Sequence, residues 1–221
     1  MNSDSIGDRY YNVRTQLPPE VQLVVVTKTH PADTVREIYN LGHRHFGENK
    51  VQEMLTKQME LPADIKWHLI GHLQTNKVKH IAEFIHLIES VDSEKLLQEI
   101  DRQAQKHNRT INVLLQVRIA TEETKFGLEI SETRELFSQW TQGLYPNVKI
   151  CGLMGMATYT DDQEQVKREF STLKRLFDQL AVQKEIQILS MGMSGDYKLA
   201  IECGSNSVRV GSAICGARDY Q

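Results

Sequence analysis

The sequence predicts an α/β protein built as a single (β/α)8 TIM barrel with an extra helix at its N-terminus. Three observations carry that prediction. Eight short apolar runs alternate with amphipathic stretches from end to end, and 221 residues suit a barrel, which typically needs about 200–250. The first run ends in Lys-Thr-His-Pro rather than in the Gly-rich turn that usually opens a doubly wound sheet. No linker, low-complexity tract or Pro/Gly/Ser-rich boundary interrupts the chain, so residues 1–221 read as one domain.

Residues 3–17 read as the extra helix, placed over the bottom or side of the barrel. VQLVVVT (21–27) is the first strand. A helix follows from Pro31 to about Leu41, with Val35, Ile38 and Tyr39 on one face and proline in the first turn, where a missing N–H costs nothing. HRHFGEN (43–49) is the second strand and KVQEMLTKQME a polar helix. WHLIGHL (67–73) and IHLIESV (85–91) are the third and fourth strands, around a short TNKVKHIAEF helix. Ser93 caps the next helix, whose Leu96, Leu97, Ile100 and Ala104 recur at helical spacing.

NVLLQVRI (112–119) is the fifth strand, and Ser131 is the candidate cap of a helix that runs through Leu136 and Phe137 to Gly143. VKICGLMGMAT (148–158) is the sixth. The clearest helix comes next: Val166, Phe170, Leu173, Phe177 and Leu180 step by four, three, four and three residues, which keeps one stripe inward. IQILSMG (186–192) is the seventh strand, DYKLAIEC a helix closed by Gly204, and SVRVGSAI (207–214) the eighth strand.

Composition removes several function classes. With 40% hydrophobic and 25% charged residues the chain is that of an ordinary globular protein, not a disordered one. A net charge of −3 with mixed signs gives no footprint for nucleic acid or an anionic membrane. Cys151, Cys203 and Cys215 form no CxxC pair and read as reduced thiols. There is no basic-then-apolar leader and no window approaching the roughly 18 apolar residues of a membrane span, so the expectation is a soluble cytoplasmic protein.

In such barrels the chemistry sits where strands end. The strand-end residues are Lys28, Glu48, Asn49, His68 to His72, Ser90, Asp92, Arg118, Met156 to Thr158, Met191 to Ser194 and Arg209 to Ser212, and they are expected to converge on one mouth. Taken alone, Lys28 reads as the first solvated residue of a strand surfacing at Thr27. The loops after strands seven and eight change that reading. MGMSGD offers the Ser194 hydroxyl, and RVGS offers backbone N–H groups at Gly211 and Ser212, in the usual phosphate-binding position of this fold. Glycine at 211 lets an anion approach the backbone. A desolvated lysine facing that cup is a Schiff-base candidate, and pyridoxal 5′-phosphate supplies both the aldehyde and the phosphate.

The segments VVVTKTHP, GHRHFGENKVQE, WHLIGHLQTNK, EETKFGL, GLMGMAT, LSMGMSGDYKLAI and SVRVGSAICG resemble, in order, the YggS/PROSC family of pyridoxal-phosphate-binding homeostasis proteins. The resemblance spans about residues 20 to 216 and implies the fold-type III barrel that alanine racemase carries as its N-terminal domain. It also implies roles. Lys28 matches the lysine that holds the cofactor as an internal aldimine; Ser194, Gly211 and Ser212 match the phosphate contacts; Arg209 looks like the arginine directed at the pyridine nitrogen. An arginine keeps its proton, so it would leave that nitrogen unprotonated and weaken the ring as an electron sink. Asn49 matches a position beside the ring and His68 a lining position. Arg118 departs from the pattern, standing where relatives usually carry asparagine; pointed into the mouth, it would crowd the cofactor or add a cation near the phosphate.

Plainer readings stand beside these. His68 and His72 have the spacing of a helical zinc pair, but on a strand running into a turn that spacing does not converge. His43 and His45 share one side of a strand and read as packed or surface residues. Met154, Met156, Met191 and Met193 read equally as cofactor lining and as core filler, and Lys125 reads as a pocket or a surface residue, with the surface favoured.

Three classes of function fit a lysine and a phosphate cup. Racemases and decarboxylases of this fold type use a second base, commonly from a further β-domain and a partner subunit. With the sequence running to Gln221, that domain is expected to be missing here. The expectation is therefore a non-catalytic, monomeric binder of pyridoxal phosphate, acting in vitamin B6 and amino-acid or keto-acid balance and delivering cofactor to apo-enzymes. A racemase-like enzyme and a Schiff-base aldolase acting on sugar phosphates are the alternatives.

Overall fold

In the computed structural model, which describes residues 5–121 and 126–216, the eight apolar runs form parallel strands closed into a barrel in chain order. The strands are β1 (Gln22–Val26), β2 (His45–Glu48), β3 (Lys66–Leu69), β4 (Leu87–Val91), β5 (Ile111–Val117), β6 (Val148–Gly155), β7 (Ile188–Ser190) and β8 (Ser207–Val210). Closure is made by β1 against β8, where Gln22 to Val25 register with Ser207 to Val210. The helices are α1 (Ile6–Gln16), α2 (Ala32–Asn40), α3 (Val51–Glu60), α4 (Glu94–Lys106), α5 (Ile130–Thr141), α6 (Gln163–Ala181), α7 (Tyr197–Glu202) and α8 (Ser212–Cys215). Among the described residues no helix is long and apolar enough to cross a membrane.

Local chemistry explains the boundaries. Ser5 caps α1 by a reciprocal pair with Asp8, and Ser93 caps α4 through the Leu96 N–H. The predicted cap of α5 is corrected: the helix begins at Ile130, one residue before Ser131, because the Glu132 carboxylate accepts the Glu129 N–H at 2.8 Å. Strand three stops at Leu69, four residues short of the prediction, and the run 207–214 divides into β8 and α8. The TNKVKHIAEF segment makes only a 3-10 turn, Thr75–His80.

The main core lies between barrel wall and helices, where Phe46, Phe137 and Phe170 are fully buried. Inside the barrel the apolar filling is thin: Leu87, Leu114 and Met154 form one small layer. Beside it lie the buried polar side chains of His68, Glu89, Ser190 and Arg209. That inversion of the usual apolar filling positions the site.

Candidate functional site

Strand β1 ends on a lysine because the chain on either side of it is pinned. Lys57 of α3 is buried, and its ammonium donates to the Thr27 carbonyl at 2.8 Å, to Glu48 at 2.7 Å and to Glu53 at 2.8 Å. The Thr27 hydroxyl donates to Glu48 at 2.6 Å, and the Thr29 N–H to Glu53 at 2.6 Å. Thr29 takes a left-handed backbone, φ 68°, a conformation that costs a β-branched residue about 1–3 kcal/mol and persists only where surroundings hold it. The Lys57 cluster supplies that hold, with Lys28 between its two anchor points. Glu48 therefore does not join the mouth as expected. It faces outward behind the wall, where burial raises its carboxyl and Lys57 opposes the shift.

A second network fills the barrel interior. The Glu89 carboxylate contacts His68 Nδ1 at 2.8 Å and accepts the Ser190 hydroxyl at 2.6 Å, and Arg209 lies 3.7 Å from it. Arg209 also donates to Ser190 Oγ, and to the Gly155 carbonyl at 3.0 Å. Burial opposes the charge on Glu89, but His68, Arg209 and Ser190 outweigh it and hold the carboxyl below its ordinary range. His68 extends the chain downward, its Nε2 lying 2.9 Å from His45 Nδ1.

Above this network opens a cavity of about 330 Å³ whose lining includes Lys28, Asn49, His72, Gln116, Arg209 and Gly211. At its β8 end the Ser194 hydroxyl accepts the Gly211 N–H at 3.2 Å and the Ala213 N–H at 3.4 Å. The oxygen of Ser194 thus stands where an anion's oxygen would take the same two donors, which is the chemistry a phosphate needs. A Cβ on residue 211 would lie 3.2 Å from the Val26 carbonyl, so glycine there keeps β1 and β8 in close approach. Gly71 is tighter still, since a Cβ would fall 2.4 Å from the Asn49 carbonyl. The rim is aromatic: His72 stacks on Phe126 at 4.1 Å between centroids, and its Nδ1 lies 2.8 Å from Asp92.

Of the predicted residues, Lys28, Asn49, Arg209 and Gly211 share the cavity. Ser194 and Ser212 stand beside it at the anion donors, Ser212 as the first residue of α8. His68 lies one layer deeper than expected, 2% exposed, and reaches the cavity only through Glu89, Ser190 and Arg209. Lys28 and the anion donors sit at the ends of adjacent strands, not across the mouth, because β1 and β8 close the barrel. Arg118 turns to an ion pair with Glu129 instead of entering the mouth. Lys125 lies outside the described residues. Met156 and Met193 line the cavity, whereas Met154 and Met191 are core. His43 and His45 part company: His43 lies ahead of β2, packed on Tyr10 and Phe46, while His45 enters the barrel. Sequence reasoning missed Glu89, Lys57 and the Phe126 rim. Glu89 carried a signal, an acid inside the apolar run HLIES.

Residues 1–219 match the family described as alanine racemase, N-terminal domain. The pyridoxal phosphate homeostasis protein of Aquifex aeolicus is 43% identical over 202 residues, covering 90% of this chain and 88% of that protein. The chain belongs to this family of pyridoxal phosphate homeostasis proteins. The human pyridoxal phosphate homeostasis protein is 38% identical over 218 residues, 91% of this chain and 79% of its own. Among solved structures of the family, PipY of Synechococcus elongatus with pyridoxal phosphate bound superposes with a TM-score of 0.87 at 38% identity, covering 95% of this chain and 99% of that one. Alanine racemase of Clostridium difficile shares the fold, with a TM-score of 0.76 at 13% identity over 58% of its own length.

Proposed function

We propose that this chain binds pyridoxal 5′-phosphate in the mouth of the barrel, bonded through Lys28, and holds and delivers the cofactor in vitamin B6 homeostasis. The carrying observation is that Lys28, Arg209 and Gly211 line one cavity whose edge holds two N–H groups already satisfied by a hydroxyl oxygen. Each residue has a task there. Lys28 supplies the amine; the Gly211 and Ala213 N–H groups take the phosphate, leaving Ser194 Oγ to donate to it; Asn49 flanks the ring. Arg209, tied below to Ser190 and Gly155, presents its remaining N–H donors to the ring nitrogen. Bound there, pyridoxal phosphate supplies an aldehyde carbon open to amines. Delivery rather than turnover agrees with relatives named as homeostasis proteins.

The test is the absorption spectrum of purified protein before and after borohydride reduction, with the adduct located by mass spectrometry, followed by transfer to an apo-enzyme. The expected result is an adduct on Lys28, lost in Lys28→Ala while cooperative unfolding is kept, and stoichiometric transfer without amino-acid turnover. An adduct on another lysine, or none, overturns the reading. One observation favours a catalytic reading: His72, partnered by Asp92, brings a proton-accepting ring to the same cavity as Lys28. Racemisation lost in both Lys28→Ala and His72→Gln would establish it.

A further inference from the structure

At the N-terminal end of the barrel, away from the cavity, three imidazoles from neighbouring strands meet. His45 opens β2, His68 lies in β3, and His86 immediately precedes β4. Their ring centroids form a near-equilateral triangle of 5.2, 5.4 and 5.4 Å, and one ring nitrogen of each lies within 4.8 Å of the others. We propose that His45, His68 and His86 form a divalent transition-metal site of the zinc type, with solvent as the remaining ligand.

Three features argue for a ligand set over mere packing. His68 Nδ1 is held by the buried Glu89 carboxylate at 2.8 Å, which puts its proton on that side and turns the Nε2 lone pair toward the cluster. A carboxylate behind a histidine is the arrangement that orients metal-bound imidazoles. His86's ring makes no hydrogen bond with a described residue, and His45's Nδ1 meets only the Nε2 of His68. Two neutral imidazoles in that contact need one shared hydrogen. A metal replaces it when His45 moves its proton to its other nitrogen. Finally, His45 and His86 are partly exposed while His68 is buried, so the site is open on one side, as three-histidine centres with a water ligand are.

The spacing is close to what coordination needs. Metal–nitrogen bonds of about 2.0–2.1 Å set tetrahedral nitrogens roughly 3.4 Å apart. The His45–His68 pair stands at 2.9 Å and need open by only about 0.5 Å, while the His86 nitrogen, within 4.8 Å of the other two, need close by no more than about 1.4 Å. The ion class follows from the surroundings. Lys66 and Arg109 carry positive charge nearby, and Arg109 is committed to the carbonyls of Ala82 and Ile85. Glu89 brings a negative charge behind His68, but its oxygens are taken by His68 and Ser190, so the cluster offers only imidazole nitrogens, which suit a zinc-type ion rather than an oxygen-seeking hard cation.

The experiment uses untagged, full-length protein stripped with chelator, titrated with Zn²⁺ against a chromophoric competitor and, separately, with Co²⁺ by visible spectroscopy. One equivalent of Zn²⁺ and a d–d spectrum of low-coordinate Co²⁺ are expected. His86→Gln should weaken binding at least about tenfold, and His45→Ala/His86→Ala should abolish it. Far-UV circular dichroism and retained pyridoxal phosphate binding report that each variant is folded. Wild-type metal affinity in His86→Gln, or no Zn²⁺ retained by wild type through gel filtration, overturns the proposal. Neither result bears on the Lys28 adduct, so this site and the cofactor site fail separately.

Discussion

Replacing Glu89 by glutamine isolates the interior network. The carboxylate is fully buried and neutralises an Arg209 that is 3% exposed. Removing one partner of a buried pair leaves an uncompensated charge, which costs about 3–5 kcal/mol. At roughly 2–4 °C per kcal/mol for a chain of this size, the midpoint should fall by about 6–20 °C. The sign with pH is fixed by the depressed carboxyl of Glu89: its contribution is present above the unfolded carboxylate value and is lost as pH falls through the folded one. The difference between wild type and Glu89→Gln should therefore be full at neutral pH and shrink in acid. Urea unfolding of wild type, Glu89→Gln, Arg209→Met and the double variant measures it, with an expected coupling of about 1–3 kcal/mol. A Glu89→Gln loss below about 0.5 kcal/mol, or additive single variants, would refute a buried ion pair under the cavity.

Gly211→Val pushes a side chain against the Val26 carbonyl and off the anion donors; losing one charge-assisted hydrogen bond, about 1.5–3 kcal/mol, predicts pyridoxal phosphate affinity lowered by roughly 10- to 100-fold with the Lys28 adduct still formed. Equilibrium dialysis checks the affinity, and an unchanged value counts against the phosphate cup. Burial lowers His43 to about 4, so below the unfolded histidine value the unfolded chain takes up a proton that the folded one still refuses, and stability falls progressively as pH drops from there toward the folded value. Between pH 7 and 5 that amounts to about 2 kcal/mol, and a His43→Gln variant should lack this part of the pH slope in urea unfolding. An identical slope in the variant would place the acid sensitivity elsewhere.

Most of the architecture was readable from the order of residues alone, because hydrophobic periodicity and capping act over a few positions and the barrel repeats them eight times. Lys28, Asn49, Arg209 and Gly211 were legible for a related reason: in a closed parallel barrel every strand end arrives at one mouth, so position along the chain implies position in space. What the sequence could not decide was partnership at a distance. Glu48 and Asn49 are neighbours in the chain, yet alternation sends one behind the wall to Lys57 and the other into the cavity. His68 passed for a lining residue until closure set Glu89, Ser190 and Arg209 between it and the mouth. The meeting of His45, His68 and His86 likewise depends on the register of three strands, which nothing in their spacing of 23 and 18 residues encodes. Short-range chemistry is written in the sequence; contacts between inward-facing side chains exist only once the ring of strands has closed.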